Sequence, residues 1–266
     1  MPVPTPHAIV VVDIEGFGRR TNPMQASLRT AMYGVVQRAF ADAHLRWEEV
    51  FAQDRGDGIL MLVPAPVSTV VLAGDLVRAL DAGLREKARI FTETHAMRFR
   101  VALHQGLCER DGNGWVGEAI NTASRLVDAQ PLRDALAAAS RAVLAFVVSD
   151  EIHRGVIRHD YRFIDSSTFA PVVLDMKELR RERVWIQVPG YPYPPGLPDD
   201  APEETRPEHG GRRAASAAAE ETRPAPLSPA AGQSGGFVIN NSDVRVAGDQ
   251  VGRDKYVNAP SDGGHG

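Results

Sequence analysis

The order of apolar and polar residues along the first 189 positions predicts alternating strands and helices. An unbroken apolar run at Ala8–Val12 is typical of a strand buried on both faces. Between Gln25 and His44 apolar residues recur every three or four positions, as on an amphipathic helix. Apolar runs on both sides of Gln53–Gly58 predict a hairpin, because Asp-Gly between such runs favours a tight turn. The other predicted elements are strands at Trp47–Ala52, Ile59–Val63, Met97–Leu107, Leu144–Val148, Tyr161–Ile164, Pro171–Leu174 and Arg183–Val188, helices at Thr69–Lys87 and Glu118–Ala129, and a turn at Arg110–Gly114.

The order of these elements predicts the fold class. Strand, helix, strand, strand, helix, strand is the βαββαβ order of an α+β, ferredoxin-like fold, here followed by extra strands. The first strand ends at Asp13, and the hairpin turn contains Asp57. Since crossover connections are right-handed, the end of the first strand should lie beside the hairpin. We therefore expect Asp13 and Asp57 to meet in space.

Composition divides the chain into three parts. The predicted domain occupies residues 5–189. Residues 190–235 are rich in Pro and Ala and have too few apolar side chains to offset the loss of chain entropy on folding, so we expect a disordered linker there. Residues 236–258 alternate small apolar and polar residues. This short C-terminal β-prone motif fits either stacked β-rungs, resembling the amyloid-like signalling motifs of bacterial immune proteins, or a plain disordered terminus.

Charge and cysteine content exclude several classes of function. Of the 266 residues, 43% are hydrophobic and 24% are charged, as in an ordinary globular protein. The net charge of -4 argues against a nucleic-acid binder, which would carry a basic stripe. Cys108 is the single cysteine, so no internal disulfide forms and a structural zinc site has no support. The N-terminal segment lacks the features of a signal peptide, and no apolar run is long enough to cross a membrane. We expect a cytoplasmic protein that binds neither nucleic acid nor membrane.

Three motifs in the predicted domain carry its chemistry. DIEGFG at Asp13–Gly18, DRGDG at Asp54–Gly58 and GEAINTASR at Gly117–Arg125 occur in this order on a strand end, a hairpin and a helix. Together they resemble the class III adenylate/guanylate (nucleotidyl) cyclase homology domain family, and the chain is similar to its actinobacterial-type members. The resemblance extends from Ala8 to about Val188. It implies a cyclase that converts a nucleoside triphosphate to a 3′,5′-cyclic nucleotide and pyrophosphate for intracellular signalling.

The resemblance also implies roles for individual residues. Two Mg²⁺ or Mn²⁺ ions would lower the pKa of the ribose 3′-hydroxyl and neutralise the leaving phosphates. Backbone N–H groups of the glycine turn would bind the triphosphate, and a helix places residues four apart on one face. The residues implied are Asp13, Ile14 and Asp57 for the metals, Glu15, Gly16, Phe17, Gly18 and Gln53 for the nucleotide, Asn121 for the ribose, Arg125 for the α-phosphoryl group and Lys177 for the phosphates. Lys177 fits a solvated basic turn equally well.

Two departures from the family pattern bear on substrate and activity. Gln53 and Gly114 stand where the family has its purine-reading lysine and aspartate. The base is therefore open, and the pyrimidine cyclases of bacterial antiphage signalling are a relevant comparison.

The family also implies a head-to-tail homodimer, in which the metal aspartates of one protomer face the Asn121/Arg125 helix of the other. An alternative function is a catalytically inactive nucleotide-sensing or adaptor module, coupled to a partner that bears a matching C-terminal motif.

Overall fold

The structure, a computed structural model, describes residues 3–90, 96–176 and 179–197. All of these belong to the first of the two units into which the chain divides, residues 1–208, and the second unit is residues 209–266. Lys177, the predicted linker from residue 198 onward and the predicted motif at residues 236–258 lie outside the described residues.

Strands and helices alternate along most of the described chain. The strands are β1 (Thr5–Ile14), β2 (Phe51–Asp54), β3 (Gly58–Pro64), β4 (Phe99–Arg110), β5 (Trp115–Val116), β6 (Leu144–Ser149), β7 (Ala170–Met176) and β8 (Leu179–Gln187). The helices are α1 (Asn22–Asp42), α2 (Thr69–Val71), α3 (Val77–Ile90), α4 (Glu118–Val127), α5 (Gln130–Ala138) and α6 (Asp150–Gly155), and a π-helical turn, Leu72–Leu76, joins α2 to α3. None of the helices in these ranges combines the length and apolarity needed to span a membrane.

The strands of the described ranges form one eight-stranded sheet with the order β2-β3-β1-β4-β6-β8-β7, and β5 pairs with β4. β1 is antiparallel to both β3 and β4, while β6 is parallel to β4. The order of the first four strands is that of a ferredoxin-like βαββαβ unit. The predicted α+β fold with extra strands is confirmed.

Helices cover both faces of the sheet. Val10 and Val12 of β1 belong to a core shared with α1 and α3, whereas Ile9 and Val11 belong to a core shared with α4 and α5. We refer to the second side of the sheet as the α4 face. Asp13 continues the alternation of Ile9 and Val11, which places its side chain on the α4 face.

Two predicted strand segments have other structures. Tyr161–Ile164 is not a strand, because Asp160 and Arg162 have φ angles of +51° and +53°, which interrupt an extended backbone. The Asp160 carboxylate fixes this bend by accepting a hydrogen bond from the Ser166 N–H at 2.7 Å. Trp47–Glu49, predicted as the start of a strand, is a 3-10 turn.

The described residues that follow β8 also contact the core. Tyr191 and Leu197 pack against the core of the α4 face, and the Tyr191 hydroxyl accepts a hydrogen bond from the Arg141 N–H at 3.1 Å. The surface that receives them includes α5, a helix that the sequence pattern did not predict. This helix has only nine residues, of which Leu132, Ala135 and Leu136 are buried.

Candidate active site

Asp13 and Asp57 occupy neighbouring positions where β1 meets the β2–β3 hairpin. Asp13 is opposite Gly58 in the antiparallel register, and the Ile14 N–H donates a hydrogen bond to the Asp57 carbonyl oxygen at 2.9 Å. Asp57 is exposed, and its charge is close enough to raise the pKa of Asp13. The structure therefore brings together the two carboxylates that the sequence analysis paired.

Asp13 is buried and forms an ion pair on the α4 face. Arg100, opposite Asp13 on β4, donates to Asp13 Oδ2 from Nε at 2.8 Å and also from Nη2. Burial raises the pKa of the Asp13 carboxyl to about 6, an effect that Arg100 opposes and that Asp57 and Asp128 reinforce. Because Asp128 directly follows α4, the C-terminal end of this helix lies near Asp13.

The glycine turn after β1 is held by a second arginine. Gly16 has a φ of +65°, a left-handed conformation that glycine adopts without strain, and it precedes a 3-10 turn at Phe17–Arg19. Arg98 Nε donates to Glu15 Oε2 at 2.6 Å, and Arg98 Nη1 donates to the Leu136 carbonyl oxygen of α5 at 3.0 Å. The Glu15 side chain is thus tied to the protein, and its backbone N–H is engaged as well, because it donates to the Arg98 carbonyl oxygen at 2.9 Å. Of the predicted nucleotide-binding turn, the residues from Gly16 to Gly18 are therefore the ones suited to bind a nucleotide through the backbone. Gly18 is exposed in the same turn.

Helix α4 lies close to the sheet because two glycines make room for it. A Cβ at Gly106 would be 2.5 Å from the Cβ of Ala119, and a Cβ at Gly117 would be 2.7 Å from the Leu107 carbonyl oxygen. On this helix Asn121 is exposed and Arg125 is half-buried. Both lie on the same side of the sheet as Asp13, although the resemblance assigns the two groups to opposite protomers of a dimer.

Gln53 lies on the same face as these residues. It is opposite Leu60, a core residue of the α4 face, and directly opposed residues of paired strands share a face. Nearby, Phe51 and Trp115 have ring centroids 6.1 Å apart. Trp115 Nε1 is buried without a hydrogen-bond partner among the described residues. The face that carries Gln53 therefore also has the aromatic rings of Phe51 and Trp115 and the unpaired Trp115 N–H. Gly114, the other predicted base-reading position, has no side chain.

The donors at this site fit Mg²⁺ or Mn²⁺ in the company of a substrate. Within residues 3–90, 96–176 and 179–197, no group of three or more His, Cys, Asp or Glu side chains could hold a metal ion. Mg²⁺ is commonly bound by one or two carboxylates together with substrate phosphates and water. Asp13, Asp57 and the backbone carbonyl of Ile14 match that pattern, because they supply hard oxygen ligands and leave positions for phosphate.

Sequence reasoning identified Arg125 but missed the other arginines near the site. Arg100 occupies a position in β4 between buried apolar neighbours, and a charged residue inside a buried strand is itself a signal of a buried partner. Arg55, in the hairpin turn, donates from Nη2 to Ser124 Oγ on α4 at 3.2 Å. Such contacts depend on strand register, which the sequence pattern did not determine.

Comparison with known proteins identifies the fold. Neither a protein-family model nor a curated protein sequence matches the chain. Among solved structures, an adenylate/guanylate cyclase/hydrolase from Silicibacter pomeroyi is similar, with 19% identity and a TM-score of 0.53 over 71% of this chain and 99% of that one. The chain has the adenylate/guanylate cyclase fold. The guanylyl cyclase Cya2 is similar too, with 16% identity and a TM-score of 0.50 over 70% of this chain and 93% of that one. So is a bacterial light-regulated adenylyl cyclase, with 15% identity and a TM-score of 0.50 over 70% of this chain and 52% of that one.

Proposed function

We propose that this cyclase-fold chain is an active nucleotide cyclase that uses two divalent metal ions. The observation that carries the proposal is the backbone bond from Ile14 to Asp57, which joins the hairpin to the end of β1 next to a left-handed glycine turn and brings the charge of Asp57 within reach of the Asp13 carboxyl. In the cyclase fold such a pair is suited to hold cations at the phosphates of a nucleotide.

The reaction forms one bond and breaks one. The ribose 3′-oxygen bonds to the α-phosphorus, the bond from the α-phosphorus to the bridging oxygen of the β-phosphate breaks, and the hydroxyl proton passes to water. When bound, Mg²⁺ or Mn²⁺ would supply Lewis acidity at the 3′-oxygen and at the leaving pyrophosphate. Asp13, Asp57 and the Ile14 carbonyl would hold the ions, and the turn from Gly16 to Gly18 would bind phosphate through its backbone N–H groups.

Helix α4 orients the ribose and stabilises developing charge. Asn121 is exposed on the α4 face and can hydrogen-bond the ribose, while Arg125, one turn later, can meet the α-phosphoryl oxygens. Lys177 is proposed for the outer phosphates. We propose a head-to-tail homodimer, in which each active site combines the carboxylates of one protomer with α4 of the other.

We propose that the product acts as an intracellular signal. The remaining question for the substrate is which nucleobase it carries. Gln53 presents an amide that can donate and accept, beside the aromatic pair Phe51 and Trp115. Because neither purine-reading residue is present, pyrimidine triphosphates are substrates to test on equal terms with ATP and GTP. A role in antiphage defence would follow from a pyrimidine product.

The experiment is conversion of each of the four ribonucleoside triphosphates with Mn²⁺, read out as cyclic product by mass spectrometry. We expect one triphosphate to be converted, and Asp57→Asn to reduce the rate by about 10²-fold or more. Asp42→Asn, a change of an exposed carboxylate on α1 that pairs with Arg38, is the matched control and should leave the rate unchanged. A folded wild-type protein that converts none of the four would overturn the proposal.

The second candidate is a nucleotide-binding module without turnover, possessing a partner for its C-terminal motif. The observation that favours it is the Asp13–Arg100 ion pair, which occupies one carboxylate with a protein cation. Binding of a triphosphate with Mn²⁺, without any product, would support this candidate over the first.

A further inference from the structure

The turn that joins β2 to β3 is closed by two hydrogen bonds. Asp54 Oδ1 accepts a hydrogen bond from the Gly56 N–H at 2.7 Å, and the Arg55 N–H donates to the Gly58 carbonyl oxygen at 2.9 Å. Gly56 has a φ of +88°, in the left-handed region that favours glycine. Arg55 is therefore presented by a well-defined turn, two residues before Asp57.

Alternation along the strand sends Asp54 and Arg55 to opposite sides of the sheet. Asp54 Oδ2 accepts hydrogen bonds from Arg29 and, at 2.9 Å, from the Tyr33 hydroxyl, both on α1. Arg55 points to the α4 face, where its Nη2 donates to Ser124 Oγ at 3.2 Å. Ser124 Oγ in turn donates to the Ile120 carbonyl oxygen at 2.9 Å.

This contact places the Arg55 guanidinium on the α4 face, two residues from Asp57. Ser124 lies between Asn121 and Arg125 on α4, and Arg55 lies between Gln53 and Asp57 on the hairpin. One exposed contact to a neutral hydroxyl is a weak anchor for a guanidinium, which carries five N–H donors in a planar fork. That fork matches the oxygens of a phosphate group, to which its hydrogen bonds are charge-assisted and stronger.

We propose that Arg55 is a second phosphate-binding arginine, which acts at the site that contains Asp57 of its own protomer, together with the arginine that α4 of the other protomer supplies. The inference rests on the proposed function. Arg55 is held by Ser124, and when a triphosphate binds it exchanges the hydroxyl for phosphate oxygens. Ser124 only holds Arg55 before phosphate binds. Loss of Arg55 should therefore weaken phosphate binding, whereas loss of the Ser124 hydroxyl should not.

The test measures binding of inorganic tripolyphosphate in the presence of Mn²⁺ by calorimetry, with the full chain. This probe has no base, so its use does not depend on the substrate. We expect Arg55→Met to weaken binding by about 10- to 100-fold, as for loss of a charge-assisted hydrogen bond, and Arg55→Lys to weaken it less. Ser124→Ala should bind like wild type. Arg38→Met, a change of an exposed arginine on α1, is the matched control for loss of surface charge.

The outcomes separate the two proposals. If Arg55→Met binds tripolyphosphate like Arg38→Met, Arg55 is not a phosphate ligand, and if Ser124→Ala loses as much affinity as Arg55→Met, the contact is structural. Either result overturns the inference, even in a protein that cyclises a triphosphate. If the wild type binds tripolyphosphate through Arg55 but converts no triphosphate, the inference stands and the catalytic proposal fails.

Discussion

The Asp13–Arg100 pair allows a quantitative test of what stabilises this part of the sheet. Both side chains are only 11% exposed, and Arg100 Nε lies 2.8 Å from Asp13 Oδ2. The change Arg100→Met keeps much of the aliphatic bulk but leaves the Asp13 carboxylate buried without its cation. Breaking a buried pair in this way costs about 3–5 kcal/mol. Since the pair is not fully buried, we expect about 3 kcal/mol, at the lower end of that range.

The assay is urea unfolding at pH 8 with EDTA present, where Asp13 is ionised and metal is absent. Wild type, Arg100→Met, Asp13→Asn and the double variant form a double-mutant cycle. The double variant should be more stable than Arg100→Met, because it leaves no unpaired charge inside the protein. A loss below about 1 kcal/mol for Arg100→Met, or strictly additive effects, would refute the view that the ion pair holds this part of the sheet together.

The same variants report on metal binding without any measurement of activity. If Asp13 is a metal ligand, Mn²⁺ must compete with Arg100 for its carboxylate. Mn²⁺ should then raise the melting temperature of Arg100→Met by more than that of wild type, since a ligand that binds the folded state more tightly stabilises it more. Asp13→Asn should show little response. An equal shift for wild type and Arg100→Met would show that the two cations do not share this carboxylate.

Two further predictions concern packing and pH. Gly106→Ala should destabilise the protein by about 1–3 kcal/mol and reduce turnover, because the new Cβ would lie 2.5 Å from the Cβ of Ala119 and displace α4. The control is Gly112→Ala, whose Cβ would have no atom within 4 Å and which should change neither stability nor turnover. Burial lowers the pKa values of His104 and His153 to about 4, so each of these two groups binds more protons in the unfolded chain than in the folded one between that value and about 6.5. Their contribution to stability should therefore fall as the pH drops through this interval, whereas Asp13, whose pKa is raised to about 6, contributes in the opposite sense. Because His153→Phe removes one histidine contribution and leaves that of Asp13 in place, its stability should fall less than that of wild type in urea unfolding at pH 7.5, 5.5 and 4.5. An unchanged pH dependence would contradict this assignment.

The first half of the fold could be predicted because its signals are local. The apolar run before Asp13 is as long as a buried strand, and Gly56-Asp57-Gly58 marks a hairpin, so the meeting of the two aspartates follows from topology alone. The same reasoning predicted a strand at Tyr161–Ile164, which was wrong. The alternating apolar residues of this segment did not indicate the left-handed backbone at Asp160 and Arg162. Residues outside glycine seldom adopt that conformation, and here the carboxylate of Asp160 stabilises the bend.

The arginines of the site could not be assigned in that way. Whether Arg55 meets α1 or α4 depends on the register of β2 against β3, and a shift of one residue would exchange its position with that of Asp54. Arg100 required the same knowledge of register between β1 and β4. Single-sequence patterns predict which segments pair, whereas the partners of individual polar side chains follow only from the register of the pairing.

The distribution of charge in the structure bears on the order in which a cyclase of this kind would load. Asp13 is buried and already neutralised by Arg100, so a metal ion that binds it must also displace a guanidinium with two hydrogen bonds. Asp57 is exposed and has no such competitor among the pairs of the described residues, which makes it the easier first ligand. A triphosphate changes the balance, because it brings further oxygen ligands for the metal. On the proposed function we therefore expect metal and nucleotide to bind with positive coupling, so that Mn²⁺ alone binds weakly and Mn²⁺ with tripolyphosphate binds far more tightly. Equal Mn²⁺ affinity with and without tripolyphosphate, measured by electron paramagnetic resonance, would contradict this order.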